Sequence, residues 1–249
     1  MTATVLAYHA VGDVPRADDL HNLWVGTQEF AEQLRTLARH ADVVTLDDLV
    51  AGRARGRRTV AITFDDGYRS VLTTALPLLE EHGFPATIFV PTAYIGDRNR
   101  WDAEGVDHLD ILDADELRSM TSRGITIESH GHAHIDLSTA DDRAVRTDLE
   151  QSIAALTELR GTPPAYLAYP FRTGSSSARA IAAELGFRAA FSIDVADDGR
   201  YAWGRVYVGP DDGSRMFRAK TSGYYLGVRH HPVVNGAYQS VKRLVRRAG

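Results

Sequence analysis

Apolar residues along the chain alternate between short runs and longer stretches with helical spacing. That is the pattern of βα units around a mainly parallel sheet or barrel. Residues 5–8, 43–44, 59–64, 86–90, 125–128, 166–169 and 189–193 are short and rich in apolar or β-branched side chains, as buried strands are. Between them the period lengthens. Thr27 can cap a helix that places Phe30, Leu34 and Leu37 on one face. Short or amphipathic helices are expected over 46–50, over 71–81 with Gly83 as the stop, from Asp113 toward Arg123 with Gly124 behind it, over 141–160 and over 176–185. Residues 91–110, rich in Gly, Asp and aromatics, read as a long loop. No linker or internal repeat interrupts the pattern, so a single domain over 1–249 is expected, with its informative motifs between 59 and 193.

Composition narrows the chemistry. At 44% hydrophobic and 24% charged, the chain carries enough apolar residues for a sizeable core. Its formal net charge of −5 is not the basic excess of a nucleic-acid binder, so no nucleic-acid partner is expected. Cysteine is absent, which excludes disulfides and thiolate metal sites. A metal would have to be held by His, Asp or Glu, a donor set suited to zinc and other divalent first-row ions. The first residues lack a basic segment followed by an apolar one, and no stretch has the length of a membrane span. The expected location is cytoplasmic.

Two motifs stand at predicted strand ends. Thr63-Phe64-Asp65-Asp66-Gly67-Tyr68 places adjacent carboxylates where a buried strand stops, and parallel α/β folds assemble their sites at that end. Carboxylates there are costly unless a proton or cation is near. One can bind a metal while its neighbour remains a general base. Asp-Gly is also an ordinary turn pair, so a turn with a helix cap reads equally well. The second motif is Ser129-His130-Gly131-His132-Ala133-His134. A helical turn would bring His130 and His134 to one side, and two imidazoles with Asp66 would leave metal positions open for water and substrate. His132 could replace either neighbour, and three incidental loop histidines are the plainer alternative.

Taken in order, the two motifs resemble the polysaccharide deacetylase family, the NodB-homology domain of carbohydrate esterase family four. Its T-F-D-D-G motif corresponds to Thr63 through Gly67, and its H-[ST]-x-x-H motif to His130 through His134. The resemblance implies a distorted (β/α) barrel and removal of an N-acetyl group from an amino sugar, with release of acetate. It implies Asp65 as catalytic base and Asp66, His130 and His134 as metal ligands, with Zn2+ the first choice and Co2+, Ni2+ or Mn2+ the alternatives. It also implies that the backbone N–H of Tyr68 faces the developing oxyanion.

Three departures from the family pattern change the picture. Gly131 stands where the family has Ser or Thr, and its steadying role falls to Ser129 or to backbone. The R-x-P-Y-G motif becomes Ala168-Tyr169-Pro170-Phe171-Arg172, so the base-orienting arginine is missing. Arg205 is the candidate replacement, with an ordinary surface arginine as the alternative. The late histidine motif is unclear around His230 and His231, whereas Leu6-Ala7-Tyr8-His9 resembles a branch in which that motif lies at the front of the chain. His9 is then the general acid, or else a histidine tied to a strand-end carbonyl. Tyr169, Pro170 and Phe171 are expected near substrate, and Tyr94 and Trp101 are aromatic candidates for a sugar subsite.

The basic stretch 237–247 reads as a surface helix or as a weak peripheral membrane contact. The expected partner is an N-acetylated sugar or oligosaccharide. An O-acetyl esterase and a non-catalytic carbohydrate-binding module are the competing readings.

Overall fold

The computed structural model describes residues 2–54, 58–102, 109–193 and 199–230. Strands β1 (Thr2–Tyr8), β5 (Arg58–Phe64), β6 (Ala86–Val90), β7 (Ile125–Ser129), β8 (Tyr166–Ala168), β9 (Ala189–Ile193) and β10 (Trp203–Tyr207) follow one another in parallel. Pairing of β1 with both β10 and β5 closes the sheet into a seven-stranded parallel barrel. The short β4 (Asp42–Val43) adds to the start of β5, and β2 (Ala10–Val11) pairs with β3 (Trp24–Val25) as a separate ribbon. This is the (β/α) barrel that the family resemblance implies; the alternating pattern alone leaves sheet and barrel open.

Strand alternation separates two apolar layers. Leu6, Tyr8, Val60, Ile62, Phe64, Ile88 and Ile127 face the helices, packing with α1 (Thr27–His40), α3 (Leu76–His82) and α4 (Ala114–Thr121). Val5, Ala61, Phe89, Tyr166, Ala168 and Phe191 form another cluster, the filling of the barrel. A third cluster lies under α5 (Asp142–Arg160) and α6 (Ser176–Glu184). The β7–β8 pairing is short, registered through Ser129 and Leu167. There the Glu128 carboxylate accepts the N–H groups of Ala165 and Tyr166 at 2.7 and 2.8 Å, which replaces missing ladder bonds.

Several elements differ from the sequence expectation. Gly26, not Thr27, is the N-cap of α1, and the Thr27 N–H donates to Asp13 Oδ1 at 2.9 Å. The stretch expected as one helix over 71–81 begins as a π turn, Val71–Ala75, ahead of α3. Pro77 has no N–H for the preceding turn, and a wider turn tolerates that loss. Strand β10, the helices α2 (Leu46–Val50), α7 (Ser214–Lys220) and α8 (Tyr225–Arg229) complete the described chain; of these only α2 was expected as an element. His230 closes α8, whereas His231 and the expected helix over 237–247 lie outside the described residues. Among the described residues no helix is long and apolar enough to cross a membrane.

Candidate active site

Strand β5 ends in an abrupt turn. Asp66 and Gly67 adopt left-handed φ angles of 68° and 70°, and a side chain at Gly67 would press on Val90 at 3.2 Å. The turn parts the two carboxylates. Asp65 is buried beside Arg205, while Asp66 faces His130 and His134 beyond the end of β7.

Arg205 is fully buried, so it is not a surface arginine. Its guanidinium makes a fork on Asp65, with Nη1 to Oδ1 at 2.7 Å and Nη2 to Oδ2 at 2.8 Å. Nη1 also donates to Thr63 Oγ1 at 3.0 Å, whose hydroxyl donates to the Leu6 carbonyl at 2.7 Å. The Phe89 ring lies 5.1 Å beneath the guanidinium carbon. Burial raises the Asp65 pKa, but Arg205, with His130 and His9, outweighs it and holds the carboxyl below its ordinary value. The position where the family carries its arginine, Ala168, instead offers a backbone carbonyl to His130.

His130 continues the β7 ladder through its N–H to the Val90 carbonyl, and Nδ1 lies 2.8 Å from the Ala168 carbonyl. A carbonyl only accepts, so Nδ1 carries the proton and Nε2 presents its lone pair. That Nε2 faces Asp66 Oδ1 at 3.3 Å, and His134 Nε2 approaches the same oxygen at 3.3 Å. Asp66, His130 and His134 are all buried and offer ligand atoms within 4.8 Å of one another. A lone pair facing a carboxylate oxygen at that distance is repulsive unless a proton or cation lies between them, so the three residues fit a divalent ion. Burial raises the Asp66 pKa, but with a proton on each facing Nε2 the hydrogen bonds from His130 and His134, helped by His9, outweigh it and hold the carboxyl well below the ordinary range. His134 is lowered, chiefly by burial, with Asp66 opposing.

The four-residue spacing is realised differently from the expected helical turn. The loop is irregular, with left-handed φ at Gly131 (75°) and at His134 (51°). His132 points elsewhere, its Nδ1 2.9 Å from Thr92 Oγ1. The Gly131 N–H donates to Ser129 Oγ at 3.2 Å. A residue absent from the sequence reading is also present: Asp148 of α5 accepts the N–H groups of His132 and Ala133, both at 2.8 Å.

Tyr68 pairs with Ile111 through an antiparallel bridge that uses the Gly67 carbonyl and the Arg69 N–H. In such a pair the residue's own N–H points away from its partner, so that of Tyr68 is not spent on the bridge. His9 follows β1. Its Nδ1 is buried without a hydrogen-bond partner among the described residues, and its ring meets Tyr207 edge-on at 5.9 Å.

These groups line one cleft of about 340 Å³, within the size range of small-molecule sites. His9, Asp65, Asp66, Tyr68, His130 and His134 share it with Trp101, Tyr169 and Phe171. Trp101 stacks on His134 at 4.2 Å, and Tyr94 supports Trp101 from 4.8 Å. Tyr169 is buried, and its hydroxyl donates to the Tyr201 carbonyl at 2.9 Å. Pro170, expected near substrate, is buried and is not among the residues that line the cleft. Phe171 is 55% exposed and meets His134 at 4.9 Å. Its φ of 54° and the 96° of Arg172 are unusual for residues with side chains, and Arg172 stands where the family motif has glycine.

Similarity to known proteins agrees with this layout. The chain is 26% identical over 189 residues to the poly-β-1,6-N-acetyl-D-glucosamine N-deacetylase of Staphylococcus aureus (strain MRSA252); the match covers 71% of this chain and 63% of that protein. The structure of IcaB from Ammonifex degensii superposes with a TM-score of 0.75 at 26% identity, over 89% of this chain and 97% of that one. Streptococcus pyogenes deacetylase PplD in complex with acetate shares the fold, with a TM-score of 0.77 at 19% identity over 89% and 99% of the two chains. The family model described as polysaccharide deacetylase matches residues 52–190, more than half of the sequence, and the chain belongs to the polysaccharide deacetylase family.

Proposed function

We propose that this protein is a metal-dependent N-deacetylase that hydrolyses the acetamide of an N-acetylated amino sugar in an oligosaccharide or polysaccharide. The observation that carries this is the meeting of two units in one cleft: the buried Asp65–Arg205 pair, and the Asp66, His130, His134 cluster beside it. The name of the Staphylococcus aureus relative, an N-deacetylase of an N-acetylglucosamine polymer, supports the same chemistry here.

In this reading Asp66, His130 and His134 hold a divalent ion, Zn2+ first. When bound there, such an ion polarises the acetyl carbonyl and acidifies water. Asp65 takes the proton from the attacking water. Arg205 fixes the carboxylate in one orientation and keeps it ionised for that task. A C–O bond forms to the acetyl carbon, and the N–H of Tyr68 faces the oxyanion. His9 gives a proton to the sugar nitrogen as the C–N bond breaks, leaving acetate and a free amine. Trp101 and Phe171 supply apolar surface against which a pyranose ring can lie, with Tyr169 buried at the wall of the cleft.

The test is acetate release from N-acetylglucosamine oligomers, β-1,6-linked ones among them. The protein is stripped with a chelator and reloaded with Zn2+, Co2+, Ni2+ or Mn2+. Acetate should appear with at least one ion and vanish on stripping. Silence with every ion and every N-acetylated sugar would leave a carbohydrate-binding module as the better account.

The esterase alternative is separated by His9. An alcohol leaves without the help that an amine requires, so His9→Ala should slow amide hydrolysis by about 10²–10⁴-fold and change hydrolysis of an acetyl ester much less. Equal losses on both substrates, or an unimpaired amide reaction, would remove His9 as the acid.

A further inference from the structure

Helix α5 carries polar residues on the side that faces the barrel. Asp148 is 4% exposed and Ser152 is fully buried, four residues apart and hence on one face of the helix. Aspartate is a poor residue for a helix interior, and a buried carboxylate is costly without strong donors. The donors here are backbone groups of the loop between His130 and His134. Asp148 Oδ2 takes the His132 N–H and Oδ1 takes the Ala133 N–H, each at 2.8 Å. Ser152 Oγ lies 2.8 Å from Ser129 Oγ, and that oxygen accepts the Gly131 N–H at 3.2 Å. Two successive N–H groups are thus gathered on one carboxylate, in the manner of a backbone nest around an anion, and a third, that of Gly131, is tied to the helix only through Ser129. The position of Gly131 follows from the same contact: a Cβ there would sit 2.6 Å from Asp148 Oδ2. A side chain at 131 and the carboxylate at 148 exclude one another. The hydroxyl that the family motif would place at 131 is therefore replaced from outside the loop.

We propose that Asp148, backed by Ser152, is a positioning group for the metal-binding loop, holding His130 and His134 at the separation that an ion requires. This rests on the reading of Asp66, His130 and His134 as ligands. The irregular loop, with two left-handed residues, is held on its carbonyl side by the Thr92 and Ala93 N–H groups, which reach Gly131 and His132, and on its N–H side by the charge-assisted bonds from a rigid helix. Outer partners of metal ligands commonly change affinity by about 10–100-fold, and Asp148 belongs in that range.

Cobalt provides the readout independently of turnover. Co2+ is titrated into the metal-free protein, following its visible absorption and a competing chelator, for the wild type, Asp148→Ala, Asp148→Asn and Ser152→Ala. Asp148→Ala should bind Co2+ about 10–100-fold more weakly with an altered spectrum. Asp148→Asn should fall between it and wild type, since an amide oxygen still accepts one N–H. Ser152→Ala should show a smaller loss. Should Asp148→Ala fail to fold, Asp148→Asn decides alone. Wild-type affinity and spectrum in Asp148→Asn, together with the same in Asp148→Ala where it folds, would overturn the proposal even if both were less stable. A wild-type protein that takes up no Co2+ would instead overturn the ligand set itself.

Discussion

Asp65→Asn should still bind a divalent ion yet release acetate about 10²–10⁴-fold more slowly, the range that a positioned general base contributes. The substitution keeps size and shape and leaves Asp66, His130 and His134 untouched, so loss of turnover cannot be blamed on loss of the ion. It removes the only carboxylate in the cleft that is held by a guanidinium fork, among the described residues. Measured metal content and acetate release on the same preparation decide the point. Turnover within tenfold of wild type, with metal bound, would take the base role away from Asp65.

Arg205→Ala is expected to affect both folding and chemistry. Removing one member of a buried ion pair leaves the other charge uncompensated, which costs about 3–5 kcal/mol. For a chain of this size that corresponds to a fall in Tm of roughly 6–20 °C. Asp65 would then have burial pushing its pKa up with its main opposing charge gone. Arg205→Lys separates the two effects. A lysine restores a positive charge but not the planar fork, and cannot reproduce the paired bonds at 2.7 and 2.8 Å. It should recover part of the stability and little of the turnover. A Tm for Arg205→Ala within a degree or two of wild type would show that the pair is not stabilising; wild-type turnover in Arg205→Lys would show that the fork is not needed.

Much of this arrangement could be read from local pattern. Each barrel strand except β10 announced itself by an apolar run, and the T-F-D-D-G and His130–His134 segments lay at strand ends, where parallel barrels place their chemistry. What escaped the reading depends on distant contacts. Strand β10 is five residues long and carries an arginine and a glycine, so its hydrophobic signal is weak. Arg205 is legible as a candidate for the missing arginine, but a surface position reads equally well, and only the closed barrel brings it, buried, against Asp65. Asp148 sits in a helix where an acidic residue is unremarkable; its role is set by a loop sixteen positions earlier. The π turn ahead of α3 and the two-residue strands β2 and β3 are too small to leave a periodicity.

Closure of the barrel also sets an order of assembly. Strand β1 lies between β5 and β10, pairing with one nearby in the sequence and one far away. By the time residue 134 has left the ribosome, Asp66, His130 and His134 have all been made, but the partner of Asp65 has not. Contacts between distant parts of a chain form late because the intervening loop must first be closed. The ion-holding corner, with Asp148 and the Ala168 carbonyl that brace it, can therefore form before β10 is made, whereas the aligned base waits until β10 docks against β1.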